Sequence, residues 1–309
     1  AGLDEMIPAV TLDLQCGSAL ESITAAAAKI ESGLADLVIA GGFESSSTQP
    51  VRMWNSNHPD YQEGKSYTVA KFIPDIQGEQ VMLEGAEKTA LTENVTKAEM
   101  DPWVLLSHKR AAQAAKEGIL SDIQFSIADS KKDEGIRPSM SQRLLDRLPC
   151  LLPGGSIITA ANACLMHDGA AFVVLCSEAY RKKHGLTPQA AFRFGTAIGS
   201  DPFMSPKTAV LAIRKLLKQT ALSIDEIYSL EVNEAFAVID VLLEREFPGI
   251  RERLNPLGGA LAYGHPYGAS GAIILLHLLK DLELNQGRFG ICGVAAAGGI
   301  GTALLVEKV

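Results

Sequence analysis

No run of eighteen apolar residues occurs anywhere in the 309-residue sequence, so nothing reads as a membrane span. No CxxC pair occurs either. The cysteines are Cys16, Cys150, Cys164, Cys176 and Cys292, odd in number and widely spaced. That argues against a disulfide framework or a structural zinc site, and no metal is expected. Thiols used this way fit a reducing compartment, read here as the cytoplasm. Basic charge is in deficit: 28 Lys and Arg stand against 36 Asp and Glu, a net charge of −8. Such a balance argues against a nucleic-acid-binding face but leaves room for a local basic pocket. The opening AGLDEMIPAV has neither the charged n-region nor the apolar core of a signal peptide. It starts as if in the middle of a fold.

What is present is an α/β pattern. Residues 9–14 (AVTLDL) read as a strand, followed by the tight turn Cys16-Gly17-Ser18. The run from Ala19 to Gly33 is Ala-rich and apolar on both faces, which predicts a buried helix. Residues 36–40 then read as a buried strand closed by Gly41-Gly42. From about Ser45 to Leu152 the chain is more polar, with helical patterns near 82–92 and 98–117. Its cluster Lys131-Lys132-Asp133-Glu134 reads as solvated loop. We read this stretch as an inserted, helix-rich subdomain. SIITAA and AAFVVLC, within 155–176, read as strands. Helices are expected at 206–219 and 223–228, a strand at 228–232, and a helix from about Ala235 to Glu246. IILLHLLKDL predicts a buried helix, and the end of the chain reads as two strands around a glycine-rich turn.

The two ends of the chain resemble each other. Cys16 and His265 each sit in a glycine-containing turn before an apolar helix that leads to a strand. In a pseudo-symmetric fold the two helix N-termini would meet near one axis. Cys16 and His265 would then lie within a few ångströms at the base of one pocket.

Several residues here carry chemistry. A thiol just before a helix is set to ionise, because the helix dipole and free N–H groups stabilise a thiolate. Cys16 therefore reads as a nucleophile, or else as a small buried core cysteine. His265, between Gly264 and Pro266, reads as a general base or as a hydrogen-bonded loop histidine. His277, mid-helix among leucines, reads as structural. Asn233-Glu234 at a strand end serves either to stabilise an oxyanion or to cap a helix. Gly298-Gly299-Ile300-Gly301 is not a phosphate loop, since no Lys-Ser/Thr follows. It is a tight turn whose N–H groups could face a site.

Five motifs together resemble the thiolase family. They are CGSAL from Cys16, AGGFES (40–45), HDGAA (167–171), NEAFA (233–237) and GGALAYGHPYGASG (258–271). They keep the family's order over essentially the whole chain. The resemblance implies a thiolase fold: two pseudo-symmetric α/β halves in αβαβα layers with an inserted loop subdomain. Residues 1–48 and 155–187 would form one half, 49–154 the insertion and 188–309 the other half. It implies acyl exchange between coenzyme A thioesters, with Cys16 acylated and His265 as its base. One oxyanion hole would combine His265 with a water held by Asn233. The other would use backbone N–H groups of Cys16 and Ala297. Coenzyme A is implied as substrate, with no covalently bound cofactor. Met82 and Leu152 match pocket-lining positions, Arg137 a contact to the nucleotide end, and Ala160, Cys164, Ala235 and Phe236 positions along the pantetheine. Cys164 stands where a Ser is common. The resemblance also implies fatty acid metabolism and a homodimer or homotetramer that pairs through an edge strand.

The sequence departs from the family in three places. The second catalytic cysteine expected before the glycine turn is Ala295, and the alternative position within the NEAF segment is Ala235. Cys292 lies three residues upstream, about 10 Å along a strand and on the opposite face. The loop after Gly199-Ser200-Asp201-Pro202 is shorter than the family's. The strand–helix pairs that precede the nucleophile strand do not occur, which implies an incomplete sheet and a longer protein. An alternative therefore stands beside the enzyme: a thiolase-fold protein that binds acyl-CoA with impaired or no condensation and thiolysis.

Overall fold

The computed structural model describes residues 2–69, 71, 72, 78, 80–127 and 133–309. The elements are α1 (Ser18–Glu31), β1 (Leu37–Glu44), α2 (Val81–Thr92), α3 (Lys97–Glu117), α4 (Gln142–Leu145), β2 (Gly169–Cys176), α5 (Glu178–His184) and β3 (Ala190–Gly199). There follow α6 (Thr208–Thr220), β4 (Ile227–Val232), α7 (Val238–Glu246), α8 (Ala260–Tyr263), α9 (Tyr267–Asn285), β5 (Phe289–Ala296) and β6 (Ile300–Lys308). Helices α2 and α3 fall on the two periodic stretches of the insertion. Lys131 and Lys132 lie outside the described residues.

Two sheets build the layers. Strands β1 and β2 pair antiparallel, and the second sheet has the order β3-β6-β5-β4 with only β4–β5 parallel. Helices α1 and α9 lie between the sheets and touch both; α6 covers the far face of the larger one. The apolar side chains divide accordingly. Leu20, Ile23, Ala40, Ala171, Leu275, Cys292 and Leu304 pack around α1 and α9. Ile213, Leu216, Leu230, Val232, Ile291, Ala295 and Leu305 pack on the other side, with α2, α3, α6 and α7.

Glycines set how closely the middle layer approaches. A Cβ at Gly42 would stand 1.8 Å from the Gly268 carbonyl oxygen, and one at Gly271 2.7 Å from the Leu20 amide nitrogen. Helix α9 therefore meets β1 and α1 backbone to backbone. The AGG and GASG motifs are packing devices that bring two helix N-termini together.

Several expected elements come out differently. Residues 9–14 form no strand; an isolated bridge from Leu14 to Cys16 is all the pairing they make. Among the described residues no strand lies alongside, and Val10 is exposed. β1 runs through Gly41-Gly42 to Glu44 rather than ending there, and only one of its faces is covered. Leu37, Ile39 and Phe43 of β1 and Phe172 and Val174 of β2 are exposed on the other. SIITAA forms no strand because its donors are already taken. The Glu87 carboxylate accepts from the amides of Ser156, Ile157 and Ile158, at 2.6, 3.2 and 2.9 Å. Residues 224–226 make one 3₁₀ turn, and β4 begins at Ile227. Helix α7 starts at Val238 rather than Ala235, because the preceding backbone groups are taken by the 162–164 segment. Phe236 bridges to Ala163, the Ala235 carbonyl accepts from the Cys164 amide and the Ala237 amide donates to the Asn162 carbonyl.

Candidate active site

The first helix N-terminus carries the thiol. Gln15, in the left-handed region at φ 54°, turns the chain sharply before Cys16. Ser18 Oγ locks that turn, donating to the Gln15 carbonyl (2.6 Å) and accepting from the Leu14 amide (2.9 Å). Cys16 is 6% exposed. Burial pushes its thiol up to about 12, against the N–H groups of Ala297 and of Cys16 itself, which point at the sulfur. The carboxylates of Glu44 and Asp13 raise it further. A thiol is therefore the resting form, with two backbone donors already in place beside it.

The Ala297 donor comes from the turn between β5 and β6. Gly298 (φ 82°) and Gly299 (φ 75°) both take the left-handed region that makes the turn tight. Gly299 accepts from the Ser200 amide (2.7 Å) and donates to Ser205 Oγ (3.0 Å). These bonds hold the turn while the Ala297 N–H faces the sulfur.

His265 lies just before the second helix N-terminus, and is 1% exposed. Its amide donates to the Leu165 carbonyl (2.8 Å). Its Nδ1 is 2.6 Å from Ser270 Oγ and its Nε2 3.2 Å from Asn233 Nδ2. The Asn233 amide nitrogen is a donor, so Nε2 accepts and Nδ1 carries the proton toward Ser270. Burial pushes the imidazole down to about 3, so it is neutral. Tyr267 packs edge-on to the ring at 4.9 Å. The Tyr267 phenol lies within electrostatic reach of both Cys164 and Cys16.

Asn233 ends β4, its amide bonded to the Gly293 carbonyl (3.0 Å). Asn255 fixes that strand end from outside. Its Oδ1 accepts from the Val232 amide (2.7 Å), and its Nδ2 donates to the Val232 carbonyl (3.0 Å) and to Glu234 Oε1 (3.0 Å). Ser107 Oγ donates to the other Glu234 oxygen (2.6 Å). Glu234 is thus a buried anchor that holds Asn233 in place. The Asn233 Oδ1 is left buried and without a partner.

Asn233 meets His265 and the Ala297 N–H meets Cys16; Tyr267, packed on the His265 ring and within electrostatic reach of Cys16 and Cys164, links the two. Ala295 is buried with Ala235 and Phe236 in one apolar cluster, against which Cys164 and Met82 pack. Cys292 faces α1 and α9 on the opposite side of β5. Strand β5 runs without a bulge against β6. Cys292 thus cannot take the place of a thiol at Ala295. The remaining positions from the resemblance are dispersed. Arg137 lines a groove of about 610 Å³ with His108, Lys109 and Lys116. Leu152 lines a separate depression of about 540 Å³ with Glu84 and Lys88. Ala160 is exposed. His277 packs its ring against Tyr263 at 5.1 Å. Ser270, Tyr267 and Asn255 escaped the reading of the sequence. Ser270 lies within GASG, five residues past His265, and was legible in principle.

No helix among the described residues is long and apolar enough to cross a membrane. Residues 1–179 match the family model described as "Thiolase, N-terminal domain", and residues 186–308 match "Thiolase, C-terminal domain". The Steroid 3-ketoacyl-CoA thiolase FadA6 of Mycobacterium tuberculosis is 33% identical over 314 residues, covering 100% of this chain and 77% of that protein. The 3-oxoadipyl-CoA/3-oxo-5,6-dehydrosuberyl-CoA thiolase of Escherichia coli K12 is 32% identical, covering 100% and 82%. Human mitochondrial 3-ketoacyl-CoA thiolase in complex with CoA superposes with a TM-score of 0.91 at 30% identity, covering 100% and 80%. Bacillus anthracis acetyl-CoA acetyltransferase superposes with a TM-score of 0.87 at 31% identity, covering 97% and 78%.

Proposed function

The chain belongs to the thiolase family, and from that premise we propose that Cys16 is the residue on which it carries the acyl group. The reaction class is thiolase-type acyl transfer between coenzyme A thioesters, and the chain is an acyltransferase. One observation carries the assignment of Cys16: the Ala297 N–H and the residue's own N–H both point at a sulfur that sits before a helix.

The arrangement supports the following steps. His265 Nε2 has its lone pair free of a proton and takes the Cys16 proton as the sulfur attacks the thioester carbonyl. The negative oxygen that develops is met by preorganised donors. His265 and the Asn233 amide form one set, the Cys16 and Ala297 N–H groups the other. Ser270 holds the imidazole in the required tautomer. Burial, which keeps both groups neutral at rest, also excludes water from the acyl-enzyme.

Coenzyme A is the acyl donor and acceptor, with no covalently bound cofactor. The cationic groove at Arg137, Lys109 and Lys116 supports a seat for its phosphates. Met82, Ala235 and Phe236, which share one apolar cluster, would line the arm near Cys16, whereas Leu152 and Ala160 lie apart from it. Five free thiols support a cytoplasmic location. The uncovered apolar face of β1 and β2 supports a homodimer or homotetramer. A role in fatty acid metabolism is consistent with this chemistry.

The test is direct. The full chain is incubated with labelled acetyl-CoA and its intact mass is measured. An acetyl adduct that disappears in Cys16→Ser is the expected result. No adduct leaves the binding-only reading, and an adduct that persists in Cys16→Ser takes the Cys16 thiol out of the acyl-carrying role.

A further inference from the structure

Cys164 is the second thiol at this site. Its amide donates to the Ala235 carbonyl (3.0 Å), two residues beyond Asn233. Leu165, the next residue, accepts from the His265 amide (2.8 Å). Ala163 bridges to Phe236 and Met166 to His265. The segment is therefore strung between the strand end that holds Asn233 and the loop that holds His265. Alternate side chains along an extended segment face opposite ways. Leu165 is exposed, whereas Cys164 is turned inward and half-buried against the apolar cluster that contains Ala235, Phe236 and Ala295. Its sulfur lies within electrostatic reach of Cys16 and of Tyr267. The site also holds an acceptor with nothing to accept from: the Oδ1 of Asn233, whose side chain is 1% exposed.

Acyl transfer with carbon–carbon cleavage moves a proton at the α-carbon as well as at the nucleophile. His265 is engaged by the Cys16 proton. Ala295 and Ala235 hold no proton to give, and Cys292 lies on the far face of β5. We propose that Cys164 is the second acid–base of the reaction. This rests on the reading that Cys16 is acylated.

The cycle balances. In thiolysis, the Cys16 sulfur attacks the 3-keto carbon while His265 takes its proton. The bond between C2 and C3 breaks, and its electron pair stays on C2. Cys164 gives its proton to C2, so acetyl-CoA leaves and a Cys164 thiolate remains. The incoming coenzyme A thiol passes its proton to that thiolate and attacks the acyl carbon. The bond to Cys16 breaks, and Cys16 recovers its proton from His265. Burial, with the neighbouring Cys16 adding to it, holds the Cys164 thiol above the usual range. That keeps it protonated, the form needed to quench a carbanion.

The experiment uses the full chain and two variants, Cys164→Ala and Cys164→Ser. Three quantities are read: acetyl loading of Cys16 by mass, thiolysis of acetoacetyl-CoA, and exchange of acetyl-CoA methyl hydrogens with deuterated water. Both variants are expected to load acetyl, and to lose exchange and thiolysis by about 10²–10⁴-fold. Exchange reports on proton transfer at the α-carbon, which a purely structural role would not move selectively. If either variant exchanges and thiolyses within about threefold of the parent, the proposal is overturned. It is also overturned if the parent loads acetyl but shows no exchange, or if Tyr267→Phe alone abolishes exchange. If the parent does not load, the acyl-Cys16 reading fails instead. Cys164→Ser, which changes one atom, decides the matter where Cys164→Ala does not fold.

Discussion

His265 and Asn233 face each other across a buried gap of 3.2 Å, imidazole nitrogen to amide nitrogen, although 31 residues lie between them in the chain. Nothing else bonds the Asn233 side chain, whose oxygen is buried and unpartnered. Once His265 Nε2 takes a proton it no longer accepts from Asn233, and the Asn233 Nδ2–H is released toward a developing charge. Asn233→Ala is therefore expected to slow acetyl loading of Cys16 by about 10²–10³-fold. Adduct formation followed over time by mass measures it. A change smaller than about threefold would take Asn233 out of the oxyanion hole.

Ser270 does not touch the reacting atoms. It positions His265 through Nδ1 at 2.6 Å. Ser270→Ala leaves a buried N–H unmatched, a cost of about 1–3 kcal/mol. A tenfold or greater loss in kcat with KM little changed is the expected result, about 1.4 kcal/mol per factor of ten. A rise in KM alone would show that Ser270 acts on substrate binding.

Acetyl loading should show no inflection near the ordinary histidine value. The imidazole is held to about 3 and the thiol to about 12, both mainly by burial. The reactive pair is thus fully in its thiol and neutral-imidazole form from about pH 5 to pH 8. Loading rates across that range should be flat. A bell centred near neutrality would mean that the pair rests as an ion pair.

Stability should fall on the acid side. Burial holds His265 at about 3 and His277 at about 4. Burial, then the nearby Arg137 guanidinium, holds His108 at about 4. The unfolded chain takes up these protons from about pH 6.5 downward, and the folded chain does so only near pH 3–4. Their contribution is therefore complete above about pH 6.5 and is lost as the pH falls toward the folded values, at about 1.4 kcal/mol per unit of separation. His277→Gln should flatten the decline between pH 6.5 and pH 4. Urea midpoints at several pH values check it; an unchanged slope would show that His277 protonates freely in the fold.

Glu231 works in the opposite sense. It is fully buried, neither oxygen has a partner, and burial raises its carboxyl well above the usual range, with Asp281 and Glu234 adding to the effect. Its folded form is neutral, so its contribution is present in acid and is lost as the pH rises beyond 4.5. Glu231→Gln keeps the shape and removes the proton. The variant should match the parent near pH 4 and exceed it in stability near pH 7.5. Equal midpoints at both pH values would mean that Glu231 is ionised and solvated.

Helices α1, α2, α3 and α9, and strand β4, were legible because their periodicity is local. AVTLDL and SIITAA have the composition of strands, yet neither is one. A strand exists only against a partner, and no stretch of sequence states its partner. For SIITAA the competitor is Glu87, about seventy residues earlier in the chain, whose carboxylate collects the amides that a ladder would have used. The start of α7 slipped by three residues for a similar reason. Phe236 is tied by a bridge to Ala163, and the Ala237 amide donates to the Asn162 carbonyl instead of to a preceding helical turn.

The sequence alone determined that Cys16 stands at a turn before an apolar helix, that His265 stands at a second, and that the thiol expected beside them is Ala295. Order and spacing along the chain suffice for that. Only the tertiary structure decided the rest. Glycine-permitted contact between α1, β1 and α9 brings the two helix N-termini together. An unbroken β5 turns Cys292 away from Ala295, and pairing of 162–166 with both site segments brings Cys164 in. Distances between residues far apart in the chain arise from close packing and strand pairing, which are properties of the folded whole.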